Sequence, residues 1–434
     1  MIRCASRGRC PAAVRRITVR SMETAGPRPI SPLDRATGES RVDDSGEEFM
    51  ASMAFRRIMP LIAVIGLAGG AVACDASPAS PSRGPLSDTA RAAVRQVLDA
   101  AVEAGIPGVQ IVVTQQGREW STSAGVGDLA TAAPFPADAH VRIGSNTKAF
   151  VAAVVLQLVA EGSVELDAPI ARYLPGVVEG EGIEGDRITV RNLMQHTSGL
   201  PEYLELPELQ GDSDDLLTRY FDTADLVRRA MAMPARFRPG DRAEYTNTNY
   251  LVVGLLVERV TGHTIADEVA RRITDPLGLR ETYFPAAGDT GIRSPHPQGY
   301  EQVGGRPLDL THFDPSWAGS AGALISTGSE TNRFFTALLT GSLVAPNQLA
   351  DMRADPRPLT NRPGYAYGLG LSRLPVPCEL EVWGHGGSVP GFRTFNGVTP
   401  TGRAVTVIAN LRPEDPAITA TAQRVFDSAI CVAD

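Results

Sequence analysis

Ser145 and Lys148 stand three residues apart in Ser145-Asn146-Thr147-Lys148, a pairing suited to nucleophilic catalysis. A serine hydroxyl attacks a carbonyl only when a neighbouring base takes its proton. If Ser145 opens a helix, positions i and i+3 share a face and the lysine amine reaches the hydroxyl. The positive end of that helix then favours negative charge developing near Ser145. Residues 148–162, KAFVAAVVLQLVAEG, are almost wholly apolar. They predict a buried helix to about Glu161 and an amine that burial helps to deprotonate. Lys148 is the only lysine in the chain; every other residue in a basic total of 41 is arginine. Arginine stays charged at any accessible pH, so the lone lysine marks a position where a removable proton matters.

Two further groups carry chemistry. Of nine tyrosines, only Tyr245 is followed two positions later by asparagine, in Tyr245-Thr246-Asn247. Residues two apart in extended or turn geometry can direct their polar ends into one cleft. A Tyr245 phenolate could then share protons with Lys148 while the Asn247 amide holds a substrate carbonyl. His385-Gly386-Gly387, within VWGHGGSVPGF, has glycines that let a substrate backbone come close. His385 could position or polarise the attacked group. Taken singly, each group has a plainer reading: a solvated lysine, a loop tyrosine, a structural histidine.

Taken together, in this order and spacing, the three groups resemble the serine β-lactamase and penicillin-binding-protein superfamily. Its signatures are Ser-x-x-Lys, Tyr-x-Asn and Lys/His-Thr/Ser-Gly. The resemblance covers about residues 88–434 and includes LMQHTSGLPEY at 193–203, FRPGDRAEYTNTNYLVVG at 237–254 and SAGALISTGSETNRF at 320–334. The strongest likeness is to soluble serine D-alanyl-D-alanine carboxypeptidases and class C β-lactamase relatives. It implies that Ser145 forms an acyl-enzyme, that Lys148 and Tyr245 move protons, and that Asn247 holds the substrate amide. The backbone N–H groups of Ser145 and Ser388 would form the oxyanion hole. Water would deacylate the enzyme, with no cofactor and no metal. In the carboxypeptidase group a disulfide ties the strand edge before the third motif to the C-terminal helix, and Cys378 and Cys431 fit that bridge.

The third motif departs from the family pattern, because Gly386 stands where Thr or Ser is usual. In the carboxypeptidases that hydroxyl, the next residue's hydroxyl and a nearby arginine grip the substrate's terminal carboxylate. Here Gly386 and Gly387 leave room, Ser388 retains a hydroxyl, and Arg373 or Arg393 could supply the charge. The implied substrates are peptidoglycan-derived D-amino-acid peptides, with β-lactams and small esters as alternatives. Esterase, β-lactamase or D-aminopeptidase activity at the same site competes with the carboxypeptidase reading. So does a non-catalytic penicillin- or peptidoglycan-binding envelope protein. An α/β-hydrolase elbow, Gly-x-Ser-x-Gly, is approached only by Ala318-Gly319-Ser320-Ala321-Gly322.

The elements that must position these residues follow from periodicity. Residues 88–104 show helical spacing, with Asp88 available as N-cap. GVQIVVTQQ and REWSTSAGVG, parted by Gly117, predict a hairpin. Late strands are expected in YAYGLGLSRL, ELEVWGHGG, FRTFNGVTP and RAVTVIANL, and a closing helix in ATAQRVFDSAI. TADLVRRAMAM, YLVVGLLVERVTG and TIADEVARRITDPLG read as amphipathic helices. The expected fold is α/β: an antiparallel sheet of five or more strands flanked by helices, with a mostly helical lobe inserted. The sheet lobe would comprise about 88–160 and 305–434, and the helical lobe about 161–304.

Upstream, residues 58–73 form an uncharged, mostly apolar run behind Arg56 and Arg57, ending in Ala71-Val72-Ala73 before Cys74. This is the pattern of a signal peptide. It predicts a misassigned extension or disordered leader over 1–49, a signal peptide over 50–73 and a tether over 74–87, with export and Cys74 as a lipidation candidate. Any membrane attachment would then run through that anchor. Only Cys378 and Cys431 remain in the body, consistent with an oxidising compartment. Net charge is −8, which argues against nucleic-acid binding. A monomer is the default expectation.

Overall fold

The computed structural model describes residues 84–210 and 217–433. The expected leader, signal peptide, Cys74 and the tether before residue 84 lie outside the described residues. The first helix, α1 (Asp88–Glu103), begins one residue earlier than its sequence suggested. Ser87, not Asp88, is the N-cap, its Oγ accepting the Ala90 N–H, and Asp88 sits in the first turn. Strands β1 (Gly108–Gln115) and β2 (Arg118–Gly125) form the expected hairpin. Gln116 and Gly117 both take positive φ, 51° and 73°, the twist a two-residue hairpin turn demands.

The helices that build the site are α2 (Thr147–Ala160), α3 (Thr248–Thr261) and α4 (Gly328–Leu339). Six further strands follow: β3 (Arg357–Pro358), β4 (Ala366–Tyr367), β5 (Ser372–Arg373), β6 (Trp383–Val389), β7 (Phe392–Val398) and β8 (Ala404–Ala409). Helix α5 (Pro416–Ile430) closes the described chain. All eight strands join one antiparallel sheet in the order β2-β1-β8-β7-β6-β5-β4-β3.

Strand alternation divides this sheet between two cores. Val405, Val407 and Ala409 of β8 join Leu98 of α1 and Phe426 of α5 in one apolar layer. Ala404 and Ile408 point the other way, into a core with Phe150, Val253 and Phe334 from α2, α3 and α4. Helix α2 therefore runs buried between sheet and helical region, as its uniform apolarity requires.

Some elements differ from expectation. YAYGLGLSRL forms two strands of two residues each, because Gly368–Gly370 turns the chain against α2. A Cβ on Gly370 would meet Ala152 Cβ at 2.2 Å. TIADEVARRITDPLG is helical as expected, but a π segment at Ala270–Thr274 separates the α-helical parts Ile265–Val269 and Asp275–Leu277. A hairpin, Tyr300–Val303 and Arg306–Asp309, pairs in parallel with Leu411–Arg412. Cys378 and Cys431 form a disulfide with Cα atoms 5.7 Å apart, fixing the loop before β6 to the end of α5. No helix of the described residues is long and apolar enough to cross a membrane.

Candidate active site

Ser145 sits in a single 3-10 turn, Gly144–Asn146, that leads directly into α2. Local bonds hold the turn: Thr147 Oγ1 donates to Gly144 O at 2.7 Å, and Asn146 Nδ2 donates to Ile143 O and Thr394 Oγ1, both at 2.8 Å. One turn on, Lys148 is wholly buried. Its ammonium donates to Ser145 Oγ at 3.1 Å, Asn247 Oδ1 at 2.8 Å and Ala321 O at 2.7 Å. Burial pushes the Lys148 pKa below the ordinary lysine value; the Tyr245 phenol and the Glu202 carboxylate oppose that shift, and Arg362 adds to it.

The three acceptors differ in kind, and this fixes the chemistry. Asn247 Oδ1 and Ala321 O can only accept, whereas Ser145 Oγ can also donate. A neutral Lys148 amine has two N–H bonds, which those two oxygens take. Its lone pair is then left facing the Ser145 hydroxyl, the arrangement of a general base beside its nucleophile.

Tyr245 and Asn247 occupy the loop entering α3. Asn361 grips the Tyr245 backbone on both sides, with two hydrogen bonds of 2.9 Å. The phenol ring lies 4.2 Å from the His196 ring, and Arg362 stacks over it at 3.7 Å. The Lys148 nitrogen is 5.0 Å from the ring centre. The Tyr245 hydroxyl is buried beside the Lys148 amine, whose proton it helps to hold. The phenol thus stands beside the base, the placement that a proton relay between them requires.

His385, on β6, is held neutral. Its Nδ1 lies 2.6 Å from Gly386 O, which can only accept, so Nδ1 carries the proton and Nε2 accepts from Tyr367 OH at 2.9 Å. Burial and the nearby Lys148 charge lower its pKa to about 3. Strand β6 presses on the serine turn with no side chains between them. A Cβ on Gly387 would come within 2.0 Å of Ile143 O, and one on Gly144 within 2.8 Å of the Ser388 nitrogen. The Ser388 N–H is thereby brought beside Ser145.

Ser145, Asn247, His385, Gly386, Gly387, Ser388 and Arg393 line a single cleft of about 940 Å³. Arg373 is not among them. On β5 it is Ser372 that faces the cleft, and Arg373 is exposed away from it. Alternation along the strand decides between the two candidate arginines in favour of Arg393. Arg393 forms no ion pair among the described residues, and its Nε is buried without a partner. Burial lowers its pKa. Leu204, Phe221 and Trp317 give the cleft an apolar wall from the helical region. Ser320, in the near-match to a hydrolase elbow, is buried and donates to Tyr250 O at 2.7 Å, so it serves helix packing.

Sequence reasoning left three neighbours of this site unnamed. His196, fully buried with φ of 59°, accepts from Asn249 Nδ2 at 3.0 Å and supports the Tyr245 ring. Glu202 accepts from the Asn247 side chain at 2.9 Å. Both lie in LMQHTSGLPEY, the stretch whose wording already matched the superfamily. Arg362 also lines the cleft. Among the described residues, no cluster of His, Cys, Asp and Glu could hold a metal ion.

With this geometry in place, comparison with known proteins gives one family. The family described as Beta-lactamase matches residues 91–429. The chain belongs to the β-lactamase family. The esterase EstB of Burkholderia gladioli is 30% identical over 324 residues, covering 68% of this chain and 82% of EstB. A D-aminopeptidase of Cereibacter sphaeroides is also 30% identical, over 67% of this chain, which spans 53% of that relative's length. Among solved structures, a D-stereospecific amidohydrolase from Streptomyces sp. superposes with a TM-score of 0.72 at 34% identity, covering 79% of this chain and 99% of that one. The D-amino acid amidase of Ochrobactrum anthropi SV3 gives 0.68 at 27% identity, over 78% and 98%. The protein is a serine hydrolase of the β-lactamase fold.

Proposed function

We propose that this β-lactamase-family protein is an exported acyl hydrolase that cleaves short D-amino-acid peptides and amides through an acyl-enzyme on Ser145. The observation that carries the chemistry is Lys148, buried, with Asn247 Oδ1 and Ala321 O on two sides and Ser145 Oγ on the third. Lys148 takes the serine proton as Ser145 attacks, and the Ser145 and Ser388 N–H groups stabilise the oxyanion. Tyr245 passes a proton to the leaving amine, and water releases the acyl group. A D-configured substrate is favoured by the amidohydrolase, amidase and aminopeptidase relatives.

Arg393 favours a carboxypeptidase-like variant of this reading, in which the substrate ends in a free carboxylate. The Gly386 position lacks the hydroxyl that would share the load, so amides and esters without a carboxylate remain substrates. The apolar run before Cys74 and the disulfide support action outside the cytoplasm, with Cys74 as a lipid anchor.

One experiment separates these activities. The purified chain is incubated with a D-Ala-D-Ala tripeptide, matched D- and L-amino acid amides, p-nitrophenyl acetate and a penicillin, and followed by intact mass. The expected result is an adduct on Ser145, lost in Ser145→Ala, with faster release from the D-amide than the L-amide. No adduct with any of these compounds, or labelling that persists in Ser145→Ala, overturns the assignment.

A further inference from the structure

Asn247 does two jobs that its own chemistry leaves ambiguous. Its side-chain amide has one acceptor end and one donor end, and a half-turn exchanges them. Only with Oδ1 towards Lys148 does the amine lose an N–H to Asn247 and turn its lone pair to Ser145. With the amide reversed, Asn247 would present N–H groups to the amine and compete for that lone pair.

Glu202 removes the ambiguity. Its Oε2 accepts both the Asn247 backbone N–H at 2.8 Å and the Nδ2–H at 2.9 Å, while Oε1 accepts the Leu204 N–H at 3.2 Å. Burial raises the Glu202 pKa, while its N–H donors and the Lys148 charge oppose that shift; ionised, the carboxylate only accepts, so Nδ2 faces it and Oδ1 faces Lys148. Asn247 is also the N-cap residue of α3, yet its side chain makes no capping bond. Glu202 places a carboxylate there from another segment, at the positive end of the helix. Glu202 does not line the Ser145 cleft. It lines a smaller cavity of about 290 Å³ across the Tyr245–Asn247 loop, with Glu205, Arg236 and Glu244.

We propose that Glu202 is a positioning residue for acyl transfer: through Asn247 it aims the Lys148 amine at Ser145, and it lends that amine a negative charge. The role rests on the acyl-hydrolase reading of the same site. The charged and titratable groups around Lys148 are Tyr245 and Tyr250 from the α3 segment, Arg362, Glu202, His196 and His385. His196 and His385 are held neutral by burial, and burial pushes the Tyr250 phenol up. Glu202 is the one carboxylate named in that set. Its removal leaves the amine less able to keep a proton.

Two variants separate charge from geometry, with p-nitrophenyl acetate as the probe and pH varied from 5 to 10. Glu202→Asp keeps the charge but falls one methylene short of Asn247. It is expected to lower kcat by up to about a hundredfold, the cost of a small misplacement, with KM within about twofold and the acid limb unmoved. Glu202→Gln keeps the length and one acceptor but loses the charge. Its acid limb is expected to move to lower pH, with a smaller loss of kcat. The role is overturned if both variants keep kcat within about twofold, or if activity falls only with the folded fraction seen by circular dichroism while the acid limb stays put. Failure of the wild-type chain to form a Ser145 adduct removes the hydrolase reading and this role together. Wild-type turnover with indifferent Glu202 variants removes the role alone.

Discussion

Lys148 is held in place by acceptors chosen for an amine, and this makes its side-chain type testable. Replacing it by arginine keeps a positive charge and comparable length. Guanidinium, however, cannot give up its proton and carries five donors into a site with three acceptors. Lys148→Arg is expected to slow acylation by about 10²–10⁴-fold, the usual worth of a general base. The p-nitrophenolate burst in stopped flow measures this, with circular dichroism as the check on folding. A near-normal burst would show that no proton leaves through this residue. Such residues were legible from type and order alone, since a unique lysine three places after a serine needs no tertiary information. Glu202 and His196 were not legible. What ties each to the site is a neighbour far along the chain, Asn247 for one and Tyr245 for the other. The choice between Arg373 and Arg393 was equally hidden, because a shift of one residue in strand register reverses it.

Among elements, the contact that matters most is β6 against the turn bearing Ser145. It is made backbone to backbone, and Gly387 and Gly144 exist in it because no Cβ fits. Gly387→Ala is expected to separate β6 from the turn, since its Cβ would sit 2.0 Å from Ile143 O and 2.5 Å from Thr394 Oγ1. The Ser388 N–H would move with the strand, so kcat should fall together with thermal stability. Gly386→Ala is the control: its nearest contact would be 3.2 Å, to Thr394 O. Acylation rates and melting temperatures of the two variants, compared side by side, check this. Equal behaviour would mean that the close approach is not what aligns the site. The long strands and helices of this sheet could be read from alternation and apolar spacing. Strand character in YAYGLGLSRL located β4 and β5 but not the break between them, and β3 is too short an edge to have a period to detect. That break is where Gly370 meets α2.

Across the molecule, catalysis in a dry interior has a consequence for acid stability. His385 is kept neutral, with a pKa of about 3 against an ordinary value of 6.5, and His196 is shifted in the same direction. Below pH 6.5 the unfolded chain takes up protons that these native side chains refuse. Unfolding therefore absorbs protons, and stability falls as the pH drops from about 6.5 towards 3. Above 6.5 neither histidine contributes a slope. The His385 share of that loss is on the order of 5 kcal/mol once the pH is below both values. Carboxylates held low by arginines, such as Glu161 and Asp167, lose their contribution only below their ordinary range near 4. Glu202 and Asp427, raised by burial, act in the opposite sense. The histidine effect is therefore isolated by comparing the wild type with His385→Gln between pH 7.5 and 4.5, using urea midpoints. The variant has no proton to take up at this position, so its midpoint should fall less steeply with acid, whatever its stability at neutral pH. Parallel slopes would mean that His385 titrates normally in the folded protein. Burial would then not be what keeps the Ser145 site neutral beside Lys148.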